Sequence, residues 1–182
     1  MKNHFTKRSL YQTSRFSMLL IGILLVGLLQ SFTACDLLGI KSDDSLYGTW
    51  KAVGTQWVDG YKITFNSETG KAYIEYLGDY SGSSTDMNFK GEIQDNSSKL
   101  TKNEGYIIFK VIQKGNSPYL ELEVGNYSAV HWKDFTGDTV KMATAYKVGG
   151  NKNNGMPTAA EAAQEYTVAN GYYTYYGDYQ RQ

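Results

Sequence analysis

The chain has 182 residues, of which 41% are hydrophobic, 20% charged and 14% aromatic, with 19 glycines but only two prolines. This composition is typical of a globular protein and excludes a disordered, collagen-like or proline-rich chain. Four of the 18 basic residues and none of the 18 acidic ones lie in the first 34 residues, so the rest of the chain is mildly acidic. Because phosphate backbones require a basic stripe on the protein, we expect no nucleic-acid partner.

The first 34 residues have the pattern of a secretory signal peptide. A basic stretch ends at Arg15, an apolar run covers 17–29, and small residues precede Cys35. The apolar run is shorter than the roughly 20 residues that a membrane-spanning helix needs. A basic segment, a short apolar segment and small residues in this order indicate a signal that is removed from the mature protein.

The residues that end this signal, Ser31-Phe-Thr-Ala-Cys35, resemble the lipobox of bacterial lipoproteins. In that family signal peptidase II cuts before the cysteine, which carries acyl chains such as palmitate. The resemblance implies a cleaved signal peptide over 1–34, lipidation of Cys35 and a protein anchored to a membrane of the bacterial cell envelope, although Phe32 stands where the family usually has leucine. Two or three acyl chains hold a protein firmly to a membrane, whereas one chain binds only marginally. The alternative is an ordinary signal peptide with an unrelated cysteine.

Residues 35–45 are predicted to be a lipid-anchored tether, and strand patterns dominate the chain after it. Period-two alternation, which places one face of a strand on a core and the other in water, marks 61–65, 87–93, 120–124 and 140–148. Three further runs are rich in aromatic and β-branched residues and also favour strands: 72–77, 106–112 and 127–132. Short runs separated by turn residues at regular spacing indicate an up-and-down antiparallel sheet or barrel.

One segment near the end of the chain favours a helix instead. Residues 157–166 are rich in alanine and glutamate, which have high helix propensity. Thr158 and Glu161 stand at the spacing of a capping box, so Thr158 is predicted to cap the helix. Gly171 then ends the helical region, and the aromatic run 172–176 is predicted to form a closing strand.

This order of strands, helix and closing strand resembles that of the lipocalin-like barrels. Gly48-Thr49-Trp50 is similar to the Gly-x-Trp signature of their first strand, although the middle motif of the family is absent. The resemblance implies a mainly β fold, a single antiparallel up-and-down barrel over 46–182, with one short C-terminal helix before a last strand. It also implies that Gly48 and Trp50 form the barrel floor, beneath a side chain from late in the chain that is usually arginine. The matching region offers Lys147, and Arg181 is the only arginine after residue 34.

Residues for catalysis or metal binding are sparse. His131 is the only histidine after the expected cleavage site, and no adjacent nucleophile and acid give it a catalytic pattern. One histidine is too few for a usual zinc site, and a single cysteine excludes an internal disulfide and a thiolate cluster. We therefore expect no catalytic residues, no metal and no cofactor, and we expect His131 to face the sheet or solvent.

Tyrosine is the remaining unusual feature, since 15 of the 16 tyrosines follow Cys35 and four crowd 172–176. Buried phenols need hydrogen-bond partners, so tyrosines often line wet cavities or interfaces. The alternative is that they suit the rims and outer face of an antiparallel sheet.

Two functions fit these patterns about equally. The first is a membrane-anchored envelope lipoprotein that binds a small, largely apolar ligand inside a lipocalin-like barrel. The second is an interaction or structural lipoprotein with a filled barrel, which binds an envelope or host protein or a glycan through surface aromatics. A hydrolase is a distant third hypothesis that rests only on His131 and scattered aspartates and serines.

The size of the inward side chains decides between the first two functions, because eight strands enclose room for side chains or for one small ligand. The alternation over 140–148 predicts that Val140, Met142 and Tyr146 point inward. Large inward residues of this kind favour a filled or narrow interior.

Overall fold

A computed structural model describes residues 44–54, 59–78, 86–95, 97–115, 121–150 and 152–182. Cys35, with the expected signal peptide and most of the tether, lies outside the described residues. Eight strands and one helix occupy the described part of the chain: β1 Gly48–Ala52, β2 Asp59–Asn66, β3 Lys71–Gly78, β4 Asp86–Ile93, β5 Gly105–Lys114, β6 Tyr127–Lys133, β7 Thr139–Thr144, α1 Ala159–Glu165 and β8 Gly177–Arg181.

The strands form a closed antiparallel barrel in which each strand pairs with the next in sequence. β1 closes the barrel by pairing with β8, with Trp50 opposite Arg181 and Ala52 opposite Tyr179. The predicted fold class is therefore confirmed: the protein is a mainly β, up-and-down barrel with one short helix before its last strand. Closure also removes the unpaired edges that an open sheet would expose.

The two ends of the barrel differ in their connections. The chain enters through Ser45–Tyr47, beside the start of β1, and the connections β2–β3, β4–β5 and β6–β7 lie at this same end, which we call the entry end. The connections β1–β2, β3–β4, β5–β6 and β7–β8 lie at the opposite end, the far end. The long β7–β8 connection contains α1, which packs on the outer side of β5 and β6.

Alternation along the strands produces two apolar layers. The inward residues form the main core inside the barrel, and the outward residues of β5, β6 and β7 form a second core beneath α1 and the tyrosines that follow it. Ala129 and Ala143 belong to the second core, where their small side chains leave space for Ala162 and Tyr166.

The helix begins as the sequence predicts. Thr158 is its N-cap: the Thr158 hydroxyl accepts a hydrogen bond from the backbone N–H of Glu161 and donates one to the Glu161 carboxylate at 2.8 Å. The glutamate thus reaches back to the hydroxyl of the capping residue, where a standard capping box would use its backbone N–H.

The prediction of a closing strand over 172–176 is wrong, because the last strand is Gly177–Arg181. Tyr172 and Tyr173 are buried in the outer core beside Tyr166, so this stretch of chain packs its rings against the barrel before it pairs with β7. β8 begins to pair with β7 at Gly177, which lies opposite Met142. Two residues later, the Tyr179 side chain points into the barrel interior.

Two other strand predictions are also wrong. Residues 121–124 form part of a connection, because the Glu123 N–H bonds to the Asn154 carbonyl of the β7–β8 connection. β7 ends at Thr144, so Val140 and Met142 point inward as predicted but Tyr146 does not. The Tyr146 N–H bonds to the Tyr172 carbonyl, which leads the chain away from the barrel.

Candidate functional site: the interior and the two ends of the barrel

The barrel interior is occupied by large side chains. Phe89 and Phe109 stack with ring centroids 4.8 Å apart and planes inclined by 8°. Gly91 lies beside them and must lack a side chain, since a Cβ there would overlap the Phe109 ring. The other large, fully buried members of this core are Trp50, Trp132, Tyr61, Leu46, Ile63, Ile74, Ile107 and Leu122. Among the described residues, these side chains occupy much of the space that a lipocalin-like ligand would use.

Tyrosines complete the interior towards the far end. Tyr61 stacks on Tyr76 with centroids 4.7 Å apart and meets the edge of Tyr179 at 5.1 Å. The Tyr61 hydroxyl is 2.8 Å from the hydroxyl of Thr144, which gives this buried phenol a hydrogen-bond partner. Tyr76 lies opposite Phe89 on the next strand, with ring centroids 5.8 Å apart, so the tyrosines and phenylalanines form one aromatic cluster.

Trp50 and Arg181 pack together at the entry end of the barrel, where the resemblance to lipocalin-like barrels implies the barrel floor. Trp50 has no exposed surface, and its indole N–H donates to the Leu46 carbonyl at 2.9 Å. The Arg181 guanidinium lies 4.3 Å from the ring centroid of Trp50. Gly48 has a φ of +145°, a region that favours glycine, and a Cβ there would come within 2.7 Å of the guanidinium.

Arg181 also ties three chain segments together at this end. Its guanidinium donates to the carbonyls of Ser45, Tyr47 and Gly137 at 2.6, 2.7 and 2.7 Å. The resemblance to the lipocalin-like barrels offers Lys147 for this role. Lys147 lies instead in the β7–β8 connection, where it donates to the Asn170 carbonyl. The signal that could have identified Arg181 is that it is the sole arginine after residue 34 and stands almost at the end of the chain.

His131 is buried on the outer side of the barrel, with 1% of its surface exposed. Its Nδ1 lies 2.8 Å from the Tyr176 hydroxyl and its Nε2 lies 3.3 Å from the Glu104 carboxylate, an arrangement that a neutral ring protonated on Nε2 satisfies. Burial lowers the pKa of His131, and the neighbouring Glu104 carboxylate offsets part of this effect. Tyr106 packs on one side of the imidazole with centroids 4.5 Å apart.

The surroundings of His131 give no support to the hydrolase hypothesis within the described residues. Ser128, a buried serine on the same strand, stands three positions away, so alternation places it on the inward face while His131 faces outward. The Tyr176 hydroxyl is hydrogen-bonded to Nδ1 of His131, a nitrogen that would otherwise be available to activate a nucleophile. The ring of Tyr176 is further covered by the Lys133 ammonium group at 4.0 Å.

A groove of about 600 Å³ opens at the entry end, below the filled core. Its base is apolar and includes Tyr47, Phe65, Ala72, Ile93 and Leu100. Tyr47 and Phe65 meet edge to face with centroids 6.2 Å apart. We call this feature the entry groove.

Exposed apolar side chains are concentrated at the other end. The large hydrophobic residues that are exposed among the described ones lie in the connections β1–β2, β5–β6 and β7–β8 or near the end of β5: Val53, Ile112, Val124, Tyr146, Val148, Val168 and Tyr175. Val168 differs from the others in position, because its N–H bonds to the hydroxyl of Tyr106 near the entry-end start of β5. Val148 and Tyr175 are each 78% exposed. The segments that carry several of them are joined by hydrogen bonds from the Tyr146 N–H to Tyr172 and from the Lys147 ammonium group to Asn170.

No family model, curated protein or solved structure matches the chain. In the part of the chain that the structure describes, no helix is long and apolar enough to cross a membrane. Among those same residues, no three or more histidine, cysteine or acidic side chains are grouped as metal ligands would be. The geometry of the barrel is therefore what indicates a function.

Proposed function

We propose that this protein is a lipid-anchored envelope protein whose barrel is a rigid platform for binding a protein or glycan at its surface. The large side chains inside the barrel are the observation that carries this proposal, because the stacked rings of Phe89 and Phe109 occupy interior space that a ligand would need. Binding of a partner must then use the outer surface or the ends of the barrel.

The distribution of exposed apolar residues supports the far end as the binding surface. Monomeric soluble proteins expose single apolar residues everywhere, but a concentration of them at one place marks interaction sites. Tyrosine is enriched at protein interfaces because it combines a large apolar ring with a polar tip. Tyr175 and Tyr146 contribute such rings to the far end, beside the aliphatic Val148.

An eight-stranded antiparallel barrel is also consistent with a lipocalin-like binding fold, which would hold a small apolar ligand inside. Barrels of this size have room for either side chains or one small ligand. The large residues that occupy this interior favour surface binding over enclosure.

Surface binding is tested with the domain from residue 36, whose elements all lie after Asp44. We expect saturable binding to purified cell-envelope fractions, and we expect Tyr175→Ala combined with Val148→Asp to weaken it at least tenfold. Glu68→Ala, at an exposed position of the entry end, is the matched control and should bind as the unmodified protein does. Protease or glycosidase treatment of the fractions distinguishes a protein partner from a glycan, and equal binding by all variants would contradict the proposal.

The lipid anchor is tested separately. Metabolic labelling with a fatty acid should mark the full chain and should not mark Cys35→Ala. A labelled alanine variant, or an unmodified mature terminus beyond Cys35, would show that the lipobox assignment is wrong.

A further inference from the structure

We infer that the entry groove binds one acyl chain of a membrane lipid. This inference rests on the anchoring part of the proposed function, since an anchored protein keeps its entry end close to the bilayer. It assigns a ligand class to a site at the end of the barrel opposite the surface proposed for the macromolecular partner.

The base of the groove continues the inner face of the barrel. Ile63 and Ile74 are fully buried in the core, so the residues two positions along each strand, Phe65 and Ala72, face the same side and pair with each other across the strands. Ile93 occupies the equivalent position two residues beyond Gly91 on β4. The core thus ends in a concave apolar surface that is only partly buried by the protein itself.

Most polar groups around the groove are already satisfied by the protein. The Ser97 hydroxyl donates to the Ile108 carbonyl and accepts from the Ile108 N–H, and the Ser98 hydroxyl accepts from the Tyr106 N–H. Lys71 and Glu92 form an ion pair at 2.9 Å across the rim. The exposed Asp95, Lys99 and Thr101 also line the groove, and its apolar base is the part that suits an acyl chain.

The size and position of the groove agree with this occupant. A volume of about 600 Å³ falls within the range of roughly 300–1,000 Å³ that small-molecule sites occupy. Tyr47 lines the groove and lies three residues after Asp44, where the described chain starts. Nine peptide steps separate Cys35 from Asp44, which limits their separation to about 30 Å. A lipid on Cys35 would therefore keep a bilayer within reach of the groove.

The binding test uses the domain from residue 36 and the fluorescent probe 11-(dansylamino)undecanoic acid. We expect one saturable site per chain, and we expect Ala72→Trp, which fills the groove with an indole ring, to weaken binding at least tenfold. Val53→Trp adds the same ring at the far end and should leave the affinity unchanged. Leu100→Asp serves as a second groove variant in case Ala72→Trp unfolds, and thermal melting identifies any variant that does.

The source of the acyl chain is tested with the full lipidated protein in phosphatidylcholine vesicles that carry a photoactivatable acyl chain. We expect cross-links on peptides that contain residues 65–72 or 92–101. Cross-links confined to other segments, undetectable probe binding, or an affinity unaffected by both groove variants would each overturn the inference. These readouts do not involve the envelope partner, so a failure here leaves the surface-binding proposal standing, and a failure of envelope binding leaves this one standing.

Discussion

Trp50 and Arg181 connect the beginning and the end of the barrel at the scale of single side chains. The guanidinium covers the indole ring and also binds three backbone carbonyls, so it links the chain before β1 and the β6–β7 connection to β8. A lysine cannot reproduce this arrangement, because its ammonium group is a single point and lacks the planar fork of arginine. Arg181 therefore fixes the path by which the chain enters the barrel.

Truncation of Trp50 tests this role. Trp50→Ala removes a fully buried ring together with its hydrogen bond to Leu46, and it should lower the free energy of unfolding by about 3–5 kcal/mol. Chemical denaturation of the domain from residue 36 measures the change, and Val148→Ala, at an exposed position, is the control. A melting temperature unchanged by Trp50→Ala would place the tryptophan outside the folded core.

His131 should make stability depend on pH. Burial lowers the pKa of His131 in the folded protein below the ordinary value of 6.5, so the unfolded chain binds its proton more readily. The unfolded state then holds more protons as the pH falls, and stability decreases from about pH 6.5 downward through the folded pKa. Unfolding by urea at pH 7.5, 6.5 and 5.5 should show this loss, and His131→Phe should flatten it. If stability depends on pH to the same extent in both proteins, the dependence comes from other titratable groups.

At the scale of elements, α1 depends on its cap. Its seven residues are fewer than an isolated helix needs for stability, so packing and capping must maintain it. Thr158→Ala removes the hydroxyl that binds the Glu161 N–H and carboxylate, and it should cost about 1 kcal/mol of stability. Thr158→Ser keeps the hydroxyl and should cost less. Denaturation midpoints compare the two, and equal losses would indicate that the methyl group of Thr158 matters more than its hydroxyl.

The sequence predicts elements well where local rules and tertiary packing agree. The capping pattern at Thr158 and the alternation of Val140 and Met142 are local signals, and both correspond to the structure. The aromatic run 172–176 has high β-propensity, but its rings pack in the outer core beside α1. The less apolar segment Gly177–Arg181 forms the strand instead. β-Propensity measures how well a residue fits a half-buried surface, and tertiary contacts decide which segment of the chain forms that surface.

The candidate sites were less predictable than the fold. Trp50 stands out because it belongs to a short motif, but the contact with Arg181 joins residues at opposite ends of the domain. The entry groove has no sequence signal, since its base combines Tyr47, just before β1, with residues of β2, β3 and β4 and of the loop that contains Leu100. Only the closure of the barrel brings these residues together.

At the scale of the whole molecule, the barrel has two chemically different ends. The entry end holds a concave apolar groove and the Trp50–Arg181 closure, whereas the far end carries exposed tyrosine and aliphatic side chains. The filled interior would keep the two ends in a fixed relation, because close-packed cores have low compressibility.

The large side chains in the interior lead to a last prediction, which distinguishes binding of a partner at the surface from enclosure of a ligand inside the barrel. Phe89→Ala removes one ring of the stacked pair and should cost about 3–5 kcal/mol of stability, because the surrounding barrel cannot collapse fully into the space. An apolar cavity of that kind stays dry and accepts small apolar molecules such as benzene.

We therefore expect benzene to raise the melting temperature of Phe89→Ala and to leave that of the unmodified protein unchanged, since a ligand that binds only the folded state stabilises it. Ile112→Ala, at an exposed position on β5, is the control and should behave as the unmodified protein does. If benzene stabilises the unmodified protein as strongly as the variant, the interior already has room for a ligand, and enclosure of a ligand is then favoured over surface binding.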